Sequence, residues 1–186
     1  MAVANKVKGF FGDVAGKQGD DSPTLLPTKV KDGAPAGNLW LMHFVEGEVE
    51  IRYTKMDDHP YLSYRAAIDE PEDYAGRNVF GMFFFPRTPA DTDDSDAQEK
   101  YKEQLERVVG QVDAVLGEGT CRSLGTDTLE ASLQELVPML DNVGFVGKIG
   151  LERGKKRDSA DTDKEAERYP DRNRISRFAA ADTWES

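Results

Sequence analysis

Hydrophobic positions change their period several times along the chain, and each change marks an element. Val3, Val7, Phe10, Phe11 and Val14 recur at helical spacing with Lys6, Lys8, Asp13 and Lys17 between them. That spacing predicts a short N-terminal amphipathic helix over residues 3 to 15, ended by Gly16. Gln18 to Ser22 has linker composition, and Pro23, Pro27, Gly33 and Pro35 keep the following segment extended, so the folded domain is expected to begin near Thr24. From Asn38 to Lys55 a buried-looking run passes into alternation at Val49, Ile51 and Tyr53, which predicts one long strand bent or bulged near Gly47. Met56 to Pro60 carries turn chemistry. Tyr61 to Ile68 reads as a second strand, and Arg77 to Phe85 as a third, stopped by Pro86.

The period then becomes helical. Ser95 followed by Gln98 is a capping-box pattern, and Ala97, Tyr101, Leu105, Val108, Val109, Val112 and Leu116 mark one face down to Gly117. A second helix is expected to start at Asp127, with Glu130 three residues on, and to bury Leu129, Leu133, Leu136, Val137 and Leu140; Pro138 is placed to shorten it. Val143 to Arg153 reads as a Gly-rich strand, 154 to 167 as a charged loop, and Arg172 to Phe178 as the last strand. Three strands, a helical insert and two strands predict a mainly β, α+β fold. The specific expectation is a five-stranded Greek-key OB-like barrel with helices between strands 3 and 4, although other meander-plus-hairpin folds share that order. The organisation expected is a helix and linker at 1–23, the barrel domain at 24–179 and a short acidic tail at 180–186.

Composition narrows the functions. The 186 residues suit one domain with some 30 to 40 residues over for tails or long loops. With 35 acidic against 24 basic residues, the net charge of -11 argues against a histone-like coat on duplex DNA and a basic membrane-surface binder. The lone Cys121 allows no internal disulfide, and His43 and His59 complete no zinc set, which fits a reducing cytoplasm. The apolar run at the start breaks early and no window approaches the ~20 apolar residues of a spanning helix, so neither a signal peptide nor a membrane span is expected.

The charge is unevenly distributed. Residues 147 to 177 hold 10 Lys/Arg and 7 Asp/Glu, leaving the remainder at net -14. Lys148, Arg153, Lys155, Lys156 and Arg157 face only Glu152 in sequence, and Arg172, Arg174 and Arg177 are read as projecting from one face of the last strand. Two basic strands joined by a basic loop make a groove that could track phosphates. The competing reading is a solvated hairpin neutralised in place by Asp158, Asp161, Asp163, Glu165 and Glu167. Trp40, Tyr53, Tyr61, Tyr64, Phe80, Phe83, Phe84 and Phe85 crowd the first three strands, more than one small barrel holds, so some are expected at the surface. Unpaired bases stack on such rings. Most are nevertheless core, with Tyr53, Tyr61 and Phe84 the best exposed candidates. Alternation is expected to put Tyr53 with Lys55, and Tyr61 with Arg65, on common faces.

Enzymatic motifs are weak. Asp91 to Asp96 opens like a calcium loop but has Asp96 where Gly is needed and Lys102 where Glu is needed, so it reads as an acidic loop. Phosphate-loop, zincin and hydrolase-elbow motifs do not occur. His43 reads as a core position, His59 as a turn residue and Cys121 as a small buried filler.

Several segments together resemble the OB-type single-stranded-DNA-binding proteins of bacteriophages: Ala36-Gly37 into the first strand, Glu48 to Lys55, Tyr61 to Tyr64, and Tyr74-Ala-Gly-Arg-Asn-Val-Phe80. The helix ending in Leu136, Val146 to Leu151 and Arg172-Asn-Arg-Ile175 extend the resemblance over about residues 24 to 178. The N-terminal helix and the long 86–126 insert depart from that family's pattern, and Ala181 to Ser186 only weakly resembles its acidic, aromatic-tipped tails. The resemblance implies sequence-tolerant binding of single-stranded DNA, protection of replication or recombination intermediates in the host cytoplasm, no catalysis and no cofactor. It also implies replication or recombination proteins as partners of the termini. Candidate contacts are Tyr53, Lys55, Tyr61, Arg65, Arg77 and Phe84 in the first three strands, and Lys148, Arg153, Lys155, Lys156, Arg157, Arg172 and Arg174 in the last two. Two other readings compete: a protein-interaction module acting through the N-terminal helix and acidic surface, and a metal-dependent nuclease. A homo-oligomer formed through that helix is an expectation that rests on its apolar face only.

Overall fold

A computed structural model describes residues 25–91, 93–154 and 170–184. The predicted N-terminal helix and the loop residues Lys155, Lys156 and Arg157 lie outside the described residues.

The described chain forms a mainly antiparallel sheet of six strands with three helices inserted before the fifth. In order they are β1 (Leu39–Phe44), β2 (Glu50–Tyr53), β3 (Pro60–Glu70), β4 (Asn78–Phe83), α1 (Ser95–Leu116), α2 (Thr120–Ser123), α3 (Leu129–Leu140), β5 (Gly144–Glu152) and β6 (Arg172–Ala180). Among the described residues no helix is long and apolar enough to cross a membrane.

The expected long first strand is two strands with a turn between them. Gly47 adopts φ 72, a conformation that costs glycine little. Val45 N–H makes the last bond to β3, at the Arg65 carbonyl (2.9 Å); Glu48 N–H then closes back on the Val45 carbonyl (3.0 Å), while Gly47 N–H donates to Asp141 (2.7 Å), so residues 46–49 leave the ladder. β1 and β2 still follow one edge of β3, with Phe44 opposite Ala66 and Glu50 opposite Ser63. On the other edge of β3, Leu62 faces Phe83 and Ala66 faces Val79 of β4. β1 pairs with β5, and β5 with β6. From edge to edge the order is therefore β4, β3, β1 with β2, β5, β6.

Alternation sends Trp40, Met42 and Phe44 of β1, Leu62, Tyr64, Ala66 and Ile68 of β3, and Val79 and Phe83 of β4 to one face, where Phe145, Ile149 and Ile175 join them in the core. Phe178 of β6 closes on this cluster, its ring centroid 5.2 Å from that of Phe83. The outermost strands β4 and β6 thus approach each other without forming a hydrogen-bonded ladder.

The helices cover the core with Val108, Val112 and Val115 of α1 and Leu133, Leu136 and Leu140 of α3. α1 packs along β6, and α3 against β2 and β3. Both caps lie one residue away from the expected positions. Asp94, not Ser95, caps α1 by accepting from Asp96 and Ala97 N–H, and Thr128, not Asp127, caps α3 by accepting from Ala131 N–H. A carboxylate answers the positive helix terminus as well as its free N–H groups, which favours Asp94. Pro138 sits inside α3 without shortening it, and β6 runs two residues past its expected end.

Two smaller expectations also change. His43 is not a core residue: it points outward on β1, half-buried, with Nδ1 2.8 Å from Asp69 Oδ1. Cys121 is half-buried at the edge of the core, and burial, then the neighbouring Asp113, push its thiol up to about 12. Arg177 breaks simple alternation with Arg174, yet a bulge restores it, since Lys148 faces Arg177 while Ile149 faces Ile175.

Candidate nucleic-acid interface

The face of β3 and β4 turned away from the core carries an unusual set of side chains. On β4, Val79 and Phe83 are buried, and the intervening Phe80, Met82 and the next residue Phe84 are 46%, 48% and 39% exposed. Three successive outward positions are therefore large and apolar, where a solvated strand would carry polar groups. On β3 the same face presents Tyr61, Ser63 and Arg65, with Met82 opposite Ser63 and Phe80 opposite Arg65. Tyr61 and Phe84 lie with ring centroids 6.0 Å apart, and the His59 ring is 5.3 Å from Phe84.

Cations border these rings. Arg52 on β2 pairs across from Tyr61 and binds Glu50 (2.8 Å). Arg65 binds Glu48 (2.8 Å), and its Nε is buried without a hydrogen-bond partner. The Arg87 guanidinium stands 5.6 Å from the Phe84 ring centroid and is held by its own two N–H donors to the Asp57 carboxylate (2.5 and 2.8 Å). Those donors, with the Thr54 hydroxyl, lower the Asp57 carboxyl to about 2, and Asp57 raises Arg87 in turn. The face thus alternates flat apolar surface with guanidinium groups, the two surfaces a single strand needs for its bases and its phosphates.

One internal contact sets the shape of this face from beneath. The Tyr64 ring crosses Gly81 so closely that a Cβ at Gly81 would stand 2.3 Å from its hydroxyl oxygen. Burial raises the Tyr64 phenol far above its usual range. Further along the core, the indole N–H of Trp40 donates to Asn38 Oδ1 (2.7 Å), and Asn38 Nδ2 donates to the Ile149 carbonyl (2.6 Å). Asn38 itself is buried at φ 56.

Of the residues singled out from sequence, Tyr61, Arg65 and Phe84 come together on this face. Tyr53 does not join them: it pairs with Pro60, whose register places it on the opposite face, and its hydroxyl donates to Glu130 of α3. That bond is the first cause of its raised pKa. Lys55 is exposed in the turn after β2 and does not share a strand face with Tyr53. Arg77 precedes β4, at the opposite end of that strand from Phe84, with its guanidinium 5.7 Å from the Tyr74 ring centroid. Lys148 is half-buried opposite Leu39 and Arg177, and Arg153 is exposed just beyond β5. Arg172 binds Glu152 (3.0 Å), whereas Arg174 is exposed opposite Gly150. These cations belong to the β5–β6 hairpin, of which β6 lies beside β4.

Arg52, Phe80, Met82 and Arg87 complete the face and were not among the candidate contacts. The signal for two of them, Phe80 and Met82, was present, since strict alternation through Asn78-Val-Phe-Gly-Met-Phe-Phe84 separates Val79, Gly81 and Phe83 from Phe80, Met82 and Phe84. Arg87 is brought in by Asp57 across a turn, which no local pattern reveals.

Among the described residues no three His, Cys, Asp or Glu side chains are grouped to hold a metal ion. Comparison with family models, with curated proteins and with solved structures finds no match to this chain.

Proposed function

We propose that the protein binds single-stranded DNA without sequence preference, with bases stacked on Phe80, Met82, Phe84 and Tyr61 and phosphates held by the bordering arginines. The observation that carries this reading is the run of three exposed apolar side chains along β4 and just past its end, flanked by Arg52, Arg65 and Arg87. Stacking on such a surface tolerates any base, because every base has a π face.

The strand order supports an OB-like barrel as the underlying architecture. If β1 and β2 count as one bent strand, the chain has five strands, a helical insert after the third and the pairings of a partly open Greek-key barrel, with β4 and β6 side by side at the opening. In that frame β3 and β4 are the second and third strands, whose outer face is where OB folds take oligonucleotides. The turn at 54–59 is then a loop flanking that face. We place the protein with phage-type single-stranded-DNA-binding proteins that protect replication or recombination intermediates in the host cytoplasm and meet other replication or recombination proteins.

A fluorescence titration with labelled oligonucleotide, single- and double-stranded, with and without magnesium, tests this reading. Saturable binding preferring the single strand, unchanged by magnesium and leaving the strand intact, supports it. Loss of the labelled strand only when magnesium is present would establish a nuclease instead, and no binding to either form would reject the proposal.

A further inference from the structure

Beyond Phe84 the chain turns inward, and a cavity of about 260 Å³ opens where the insert meets the sheet. Its walls come from three places: His59 from the turn before β3, Arg87 and Thr88 from the segment after β4, and Tyr101, Leu105 and Leu129 from α1 and α3. The cavity opens at the end of the sheet, on its helix-covered side, and reaches the proposed stacking face through two of its lining groups, which neighbour the last ring of that face. His59 lies 5.3 Å from the Phe84 ring centroid, and the Arg87 guanidinium 5.6 Å from it.

We propose that this cavity receives one nucleobase of the bound strand, the one next to the base stacked on Phe84; this rests on the single-strand-binding reading above. The volume is below the roughly 300–1,000 Å³ of sites that enclose drug-sized ligands, and suits a single ring system. Leu105 and Leu129 supply apolar walls, while Thr88 and Tyr101 bring hydroxyl groups and His59 an imidazole, the mixture that holds a flat heterocycle by its faces and its polar edge. The His59 ring is fixed through Nε2, 2.8 Å from the Phe85 carbonyl oxygen, and Arg87 is fixed by Asp57. The lining is thus positioned before any ligand arrives. Because α1 and α3 supply one wall, the helical insert becomes part of the binding surface instead of a cover for the core alone.

The test uses the full chain and a labelled single-stranded oligonucleotide. Leu105→Trp fills the cavity and Thr88→Trp fills it from the less buried side, so that one variant remains informative should the other fail to fold. Each folded variant is expected to bind at least about fivefold more weakly, the lower end of what one stacked base contributes. The salt dependence of binding is expected to stay unchanged, because no phosphate contact is lost. Replacing single bases by abasic sites in a minimal-length oligonucleotide should cost wild type that same factor at one position and cost the filled variants nothing further there. Filled variants that bind within twofold of wild type, while Phe84→Ala weakens binding, would overturn the cavity proposal and leave the stacking face standing. If Phe80→Ala and Phe84→Ala are also without effect, the stacking face falls with it.

Discussion

Arg65 on β3 stands directly across the ladder from Phe80 on β4, so a guanidinium and an exposed ring are neighbours on the outward face. Side chains directly opposite in an antiparallel pair have Cβ atoms about 5 Å apart, close enough to act on one nucleotide. The proposed chemistry of the face repeats this pairing with Arg52 beside Tyr61 and Arg87 over Phe84.

Phe80→Ala should separate stacking from folding. Nearly half of the residue is exposed, so its removal is expected to cost about 1 kcal/mol of stability, well below the loss of a core phenylalanine. Oligonucleotide affinity should fall by about 1 to 3 kcal/mol with no change in its salt dependence. Urea denaturation and fluorescence anisotropy of the same variant measure both quantities.

Arg52→Ala should do the reverse. Loss of one phosphate contact is expected to reduce the slope of log affinity against log salt by about 0.7, and a set of titrations from low to high salt reads this directly.

Glu48 occupies the guanidinium that a phosphate would use, since it lies 2.8 Å from Arg65. Both partners are partly exposed, and an ion pair of that kind contributes at most about 1 kcal/mol after screening. Glu48→Gln is therefore expected to tighten oligonucleotide binding by about two- to fivefold, measured by anisotropy at fixed salt. Weaker binding would mean that Glu48 positions Arg65 and does not compete for it.

Gly81→Ala tests the support beneath the face. The added Cβ would meet the hydroxyl, Cζ and Cε2 of Tyr64, and the ring is enclosed by Phe44 and Phe83 and cannot swing aside. Overpacking of this kind costs about 1 to 3 kcal/mol. The urea midpoint should fall accordingly, with the m-value unchanged.

The Asp57–Arg87 pair gives a pH signature. Asp57 has its ordinary value of 3.8 when unfolded and about 2 when folded, so its contribution to stability is fully present above about pH 4 and is lost as the pH falls through about 2. The difference in melting temperature between wild type and Asp57→Asn should therefore be constant near neutral pH and shrink across that acid window. A difference that persists unchanged below pH 2 would contradict this assignment.

Strands and helices were legible wherever one period ran uninterrupted, as in β3, β4, α1 and α3. What the pattern could not supply was set by contacts distant in sequence. The turn that divides β1 from β2 is fixed by Asp141, 94 residues away from Gly47. Tyr53 looked like a partner of Lys55 by alternation, but its face is decided by the register with Pro60 and by Glu130 on α3. Arg172 and Arg174 were correctly read as a pair on one face, and only the bulge opposite Lys148 explains how Arg177 joins them. The β4 face could have been separated into core and surface by alternation alone. The dense run of aromatic residues hid that alternation, because buried and exposed rings are the same residue type.

Photo-crosslinking tests the central claim most directly. A single-stranded oligonucleotide carrying a photoreactive base should, on irradiation with the full chain, attach to peptides containing Tyr61, Phe80 or Phe84, and excess unlabelled single strand should suppress those products. Crosslinks confined to other parts of the chain, or none at concentrations where binding is saturated, would contradict the account.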